Sequence, residues 1–124
     1  MKTIIKTDQA PAAIGSYSQA VKTGNTLYVS GQIPLNLQGE LVMSSVEAQT
    51  EQVLQNLRAI LMEAGGDFEN VVKATVYTDD IAYFNQINEV YGKYFSENPP
   101  ARAFVEVAAL PKGVNVEIEA IAVI

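Results

Sequence analysis

Arg102 lies in Pro99-Pro100-Ala101-Arg102-Ala103-Phe104-Val105-Glu106-Val107, flanked on both sides by small and apolar residues. A guanidinium is costly to desolvate without a partner. It also offers a planar fork that meets a carboxylate with two parallel hydrogen bonds. Two readings follow: a clamp for a substrate carboxylate, or a structural ion pair with Glu106, Glu117 or Glu119. Strand alternation puts Glu117 and Glu119 on one side of the last strand, and Glu106 on the side of Arg102. A part-buried carboxylate beside an arginine can orient water or relay a proton. A solvated strand charge or a salt bridge explains each acid equally well.

Ser30 and Gly31 occur inside Tyr28-Val29-Ser30-Gly31-Gln32-Ile33-Pro34. Glycine within a strand marks a bulge or the close approach of another group. Backbone N–H groups and the serine hydroxyl there suit an oxygen-rich ligand; the plainer reading is a strand that ends before Pro34. Asn88 shares a helical face with Phe84, Tyr91 and Phe95, and a polar group in an apolar stripe needs a partner. Tyr17, after Ile14-Gly15-Ser16, offers either a phenol to a pocket or a packing ring. Arg58, within helical reach of Glu51, Gln55 and Met62, reads as a solvated face residue.

The 124 residues contain no cysteine and no histidine. Thiol nucleophiles, disulfides, Ser-His and Cys-His systems and the usual zinc sites are therefore excluded. The acids are scattered and form no calcium loop, so no metal and no cofactor is expected. Eight basic residues against fourteen acidic ones give a net charge of −6. The basic residues lie at least four positions apart, so the cationic footprint of nucleic-acid binding is missing. The N-terminal Met-Lys-Thr-Ile-Ile-Lys carries too short an apolar stretch for a signal peptide. No run approaches a membrane helix, and the expected compartment is the cytoplasm.

The elements that must position these groups read as one domain over residues 1–124. Tyr17–Val21 and Thr26–Gln32 are expected strands joined at Gly24-Asn25. Leu27, Val29 and Gly31 should face one way, Tyr28, Ser30 and Gln32 the other. Ser44 to Ala64 reads as a long helix with Ser44 and Glu47 as a capping box, an apolar stripe from Val46 to Ala64, and Gly65-Gly66 as its stop. Val71–Thr78 is a strand; Asp79-Asp80 caps a second helix that ends at Asn98-Pro99-Pro100. Ala101–Val107 and Asn115–Val123 are the last strands, and Thr3–Lys6 suits a short first one. The order β, β, α, β, α, β, β fits a two-layer α+β domain with two helices on one face of a mixed sheet. Phe104 with Val105, and Ile118 with Ile121, are bulky on both sides of their strands, where a sheet with one wet face should alternate. The second face is therefore expected to be covered by other copies of the chain, with binding sites in the crevices between them.

In order along the chain, Ala10-Pro11-Ala12-Ala13-Ile14-Gly15-Ser16-Tyr17-Ser18-Gln19-Ala20, Ser30–Pro34, Asn56-Leu57, Val72–Tyr77, Asn88–Tyr91, Pro100-Ala101-Arg102 and Val116–Ala120 resemble the Rid (YjgF) family, most nearly its RidA branch. The resemblance implies a chorismate-mutase-like α+β fold and a homotrimer with sites between subunits. It implies hydrolysis of reactive 2-enamines and 2-imines, such as 2-aminoacrylate and 2-aminocrotonate, to 2-keto acids and ammonia. Pyridoxal-phosphate enzymes acting on serine and threonine release such compounds. Carried over by position, Arg102 would bind the substrate carboxylate and Glu117 would orient water or pass a proton. Ser30 and Gly31 would line the pocket, and Tyr17 and Asn88 would complete it. Positioning, a carboxylate anchor and an oriented water suffice for an electrophilic imine carbon. Two departures stand out. Gly15-Ser16-Tyr17 replaces the common Gly-Pro-Tyr, and Arg102-Ala103-Phe104 replaces Arg-Ser-Cys, which brings a bulkier ring near the pocket. The rival readings are a keto-acid-sensing trimer acting on a partner protein, and a structural or holdase trimer indifferent to Arg102.

Overall fold

The computed structural model describes residues 1–124. Its strands are β1 (Thr3–Ile5), β2 (Ala20–Thr23), β3 (Thr26–Gln32), β4 (Val71–Thr78), β5 (Ala101–Glu106) and β6 (Val116–Val123); its helices are α1 (Val46–Glu63) and α2 (Phe84–Tyr94). The strands form one sheet in the order β1-β2-β3-β6-β4-β5, antiparallel except for the β4–β5 pair. The expected mixed sheet and helix pair are present, and α1 packs on α2, β6 and β3. No helix is long and apolar enough to cross a membrane.

Alternation builds the core. Leu27, Val29, Ala74, Val76, Val116, Ile118, Ala120 and Ala122 point to the helices and are buried. Against them α1 sets Val53, Leu54, Leu57, Ile60 and Leu61, and α2 sets Ile87, Val90 and Tyr91. Each buried large aliphatic contributes about 1.5–3 kcal/mol of transfer free energy.

Helix α1 stops as its glycines dictate. Gly65, at φ +93°, takes the left-handed position. Its N–H donates to Met62 O, and the Gly66 N–H donates to Leu61 O, which is the Schellman pairing. The start differs from expectation: Ser45, not Ser44, is the cap, and its hydroxyl accepts from the Ala48 N–H at 3.0 Å. Asp80 caps the 3-10 turn Ile81–Tyr83 that leads into α2, rather than α2 itself.

Two further departures bear on the site. The strand expected from Tyr17 begins only at Ala20, and the Gln19 side chain before it holds the preceding residues. That side chain accepts from the Thr7 N–H at 2.8 Å and donates to Thr7 O and Pro11 O, tying residues 7–19 into an ordered loop. Between Val29 and Gln32 the β3–β6 register shifts. This bulge turns Gln32 inward, where it is buried, so Gly31 no longer shares the face of Leu27 and Val29.

The sheet face away from the helices is rich in apolar groups. Ile4, Val21, Tyr28 and Ile121 lie in one row across four strands, and Ile4 and Tyr28 are each about half exposed.

Candidate functional site

Arg102 rises from edge strand β5 on the helix side, level with Ala74 of β4. Its guanidinium carbon lies 4.7 Å from the Tyr91 ring centroid, 5.5 Å from Phe104 and 5.7 Å from Phe84. Its Nη1 donates to Asn88 Oδ1 at 2.6 Å. No carboxylate lies within ion-pair distance; the one ion pair in the chain is Arg58–Asp67 at 3.0 Å. The acid nearest in sequence, Glu106, instead accepts the Ile81 N–H at 2.7 Å. The ion-pair reading of Arg102 is thus overturned. Aromatic faces and one amide oxygen hold this cation, at about 0.5–2 kcal/mol per cation–π contact.

Arg102, Asn88, Tyr91, Gly92, Pro99 and Pro100 line a cleft of about 350 Å³. Tyr91 is 5 % exposed, and its hydroxyl is the one buried side-chain polar atom with no partner. Burial pushes that phenol up, and the Arg102 charge draws part of the shift back. Phe104 packs edge-on to Phe84 at 4.8 Å, so the unusual ring buttresses Arg102 rather than lining the cleft.

The other group forms on the opposite face. Glu117 lies between the fully buried Val116 and Ile118 and points away from the helices. It shares a cleft of about 410 Å³ with Ile14, Tyr17, Ser30, Gly31, Ile33 and Pro111. A Cβ built on Gly31 would overlap Glu117 Oε2 and stand 2.9 Å from its carboxyl carbon. Glycine lets the Glu117 carboxylate lie directly on the backbone at the bulge; a larger residue would displace that side chain. Burial, and then the charge of Glu119, raises Glu117 above the usual carboxylate range.

Ser30 serves the loop. Its hydroxyl donates to Ser18 O at 2.5 Å and its N–H to Gln19 O at 2.9 Å, so both donors are already engaged. Only the oxygen lone pairs remain for a ligand. Tyr17 is 50 % exposed and its phenol accepts the Ile14 N–H at 3.3 Å.

The six expected residues therefore fall into two sets. Arg102 and Asn88 meet on the helix side of the sheet edge; Tyr17, Ser30, Gly31 and Glu117 meet on the open face. Sequence reading missed the supports. Gln19 holds the Tyr17 loop, and Asn56 donates to Ile33 O at 3.1 Å and Leu35 O at 2.9 Å, fixing the chain beyond the bulge. The available signal was a buried-type amide in an apolar stretch, since such groups need partners. Arg58 was read as a solvated residue; it grips Asp67 with two hydrogen bonds at 3.1 and 3.0 Å.

The sequence and the fold both match known proteins. Residues 7–124 match the family model described as Endoribonuclease L-PSP. The chain is 54% identical to a Rattus norvegicus 2-iminobutanoate/2-iminopropanoate deaminase over 124 residues, covering 99% of this chain and 90% of that one. The crystal structure of RidA from Psychrobacter sp. PAMC 21119 superposes with a TM-score of 0.94 at 51% identity, covering 98% of this chain and 99% of that one. Escherichia coli TdcF with bound serine superposes with a TM-score of 0.94 at 44% identity, covering 98% of each chain. Likeness of this length, in sequence and in fold together, leaves one conclusion: the chain belongs to the Rid (endoribonuclease L-PSP) family.

Proposed function

We propose that this protein hydrolyses 2-imino acids, and the 2-enamines that give rise to them, to 2-keto acids and ammonia. The observation that carries the reading is Arg102, a part-buried guanidinium with no carboxylate partner of its own and a fork left open toward a cleft. A 2-imino acid supplies the missing carboxylate. The named activity of the rat relative is a deamination of two such acids.

The residues suit the chemistry. An enamine first takes a proton at C3, the double-bond carbon remote from nitrogen, and becomes the protonated imine. Water then adds through oxygen to C2 of the protonated imine, and one of its protons passes to the Glu117 carboxylate. Glu117 returns that proton to nitrogen in the resulting carbinolamine. The C–N bond breaks with its electron pair going to nitrogen, ammonia leaves, and it takes the proton that the C2 hydroxyl gives up in becoming the carbonyl. Proton transfer by one positioned side chain contributes about 10²–10⁴-fold.

One small molecule cannot touch both sets within one protomer, because they lie on opposite faces of the sheet. The complete site joins Arg102 and Asn88 of one copy to Tyr17, Ser30, Gly31 and Glu117 of another, in the homotrimer that the family resemblance implies. The apolar row on the open face supports this assembly, since such surface is normally covered.

The test is a coupled assay in which a serine or threonine dehydratase generates the enamine and keto-acid formation is followed. Wild type should accelerate it, and folded Arg102→Ala should not. Mixed Arg102→Ala and Glu117→Gln subunits, each inactive alone, should recover about a quarter of wild-type activity after random trimer exchange. No acceleration by a folded oligomer with several amino-acid-derived imines would defeat the enzymatic reading. The serine bound to the E. coli relative favours the alternative, a trimer that senses amino-acid-derived ligands. Binding without turnover would mark it.

A further inference from the structure

Glu119 lies two positions beyond Glu117 on the open face of β6 and is exposed. Across the ladder on β4, Tyr77 pairs with Glu117 and Thr75 with Glu119. Tyr77 reaches diagonally, and its phenol donates to Glu119 Oε1 at 3.3 Å. One tyrosine therefore holds the second acid next to the first.

The other groups around Glu117 are few. The face of β4 that it meets carries Tyr77 and Thr75, with Lys73 a rung beyond Glu119. From β3 come Ser30 and Gly31, from the N-terminal loop Tyr17, and from the turn after β5 Pro111. Within one protomer no cation pairs with Glu117, and the charge that acts on it is that of Glu119; in the complete site the Arg102 of another copy faces the same cleft from across the substrate. Like charges on adjacent acids hold a proton on one of them to higher pH. Burial, followed by Glu119, also raises the Tyr77 phenol, which keeps Tyr77 neutral and able to donate.

We propose that Glu119, tethered by Tyr77, is a positioning residue for the reaction, acting through Glu117 by setting how readily that acid holds the proton exchanged with water. This rests on the deaminase reading with Glu117 as the proton carrier.

The experiment follows the Glu117 side-chain carboxyl by ¹³C NMR titration, assigned with Glu117→Gln, alongside the pH profile of kcat/KM. In Glu119→Gln the Glu117 midpoint should fall to lower pH. The acid limb of the rate profile should fall with it, because water addition needs Glu117 ionised. Glu119→Asp should restore both, and Tyr77→Phe should give a smaller shift in the same direction. A Glu117 midpoint unmoved in Glu119→Gln would overturn the proposal, as would a midpoint that moves while the rate limb stays. Absence of wild-type turnover would defeat the deaminase reading instead. The carboxyl titration alone would then decide whether Glu119 controls Glu117.

Discussion

Arg58 and Asp67, at the end of α1, meet as a fork and a carboxylate with two near-parallel hydrogen bonds. Arg102 and Glu117 are also part-buried opposite charges, yet each lies on its own face of the sheet without an ionic partner. The first pair is self-sufficient. Asp67 shows it: burial would raise this acid, but the Arg58 fork and the Phe68 N–H outweigh burial and pull it below the ordinary range. Glu117 moves the opposite way, upward, because burial and Glu119 meet no cation. Charges that satisfy one another stabilise a fold, and charges left incomplete are where a ligand can add free energy.

The sharpest way to break this contrast is to keep the charge and remove the fork. Arg102→Lys should lose about 10–100-fold in kcat/KM, mostly through KM, because an ammonium cannot grip a carboxylate with two parallel bonds. Steady-state kinetics of the deaminase reaction reads it. Gly31→Ala should cost about 10-fold or more in kcat with the thermal midpoint nearly unchanged. The new Cβ meets only the Glu117 side chain, which can swing aside but then no longer faces the cleft.

The paired region should respond in stability alone. Asp67→Asn should lower Tm by a few degrees at neutral pH and leave kcat/KM within about twofold. Its sign with pH follows from the lowered Asp67. The stabilisation is complete above the unfolded carboxylate value and vanishes as pH falls through the folded one. The gap between wild type and Asp67→Asn should therefore close on acidification, which scanning calorimetry at several pH values measures.

The smallest expected effect runs the other way. A raised Glu117 means the folded state holds its proton longer than the unfolded chain, so stability falls as pH rises from the unfolded value through the folded one. Glu117→Gln should be inactive and yet melt roughly 1–3 °C higher than wild type at neutral pH. A lower Tm would mean that Glu117 is a structural acid like Asp67.

How much of this could be read from the chain depends on distance along it. Helix α1 was legible from its stripe and Gly65-Gly66, because both signals are local. The Ser44–Ser45 choice was not, since either serine precedes Glu47 or Ala48 by three residues and only the backbone turn selects one. Gly31 was legible as an irregularity. Its facing was not, because a bulge flips parity without altering composition. Arg102 stood out from its apolar flanks, but its partners come from α2, and nothing in a strand reveals which helix covers it. Glu106 matched Arg102 in parity and still bonds Ile81, a choice made by three elements together. The separation of the six site residues onto two faces needed the strand order, which brings β6 between β3 and β4.

The loop that carries Tyr17 has no ladder or helical turn over residues 10–19, yet a single buried amide, that of Gln19, spans it by bonding both polar groups of Thr7 and the carbonyl of Pro11. Deuterium should therefore enter the Thr7 amide at the slow pace of a sheet interior, while its neighbours exchange as freely as their lack of a ladder suggests. Changing Gln19 would unfasten the Thr7–Pro11 end of that stretch while Ser30 still holds Ser18 and Gln19, so the mobility of the loop is set by two side chains rather than by its length.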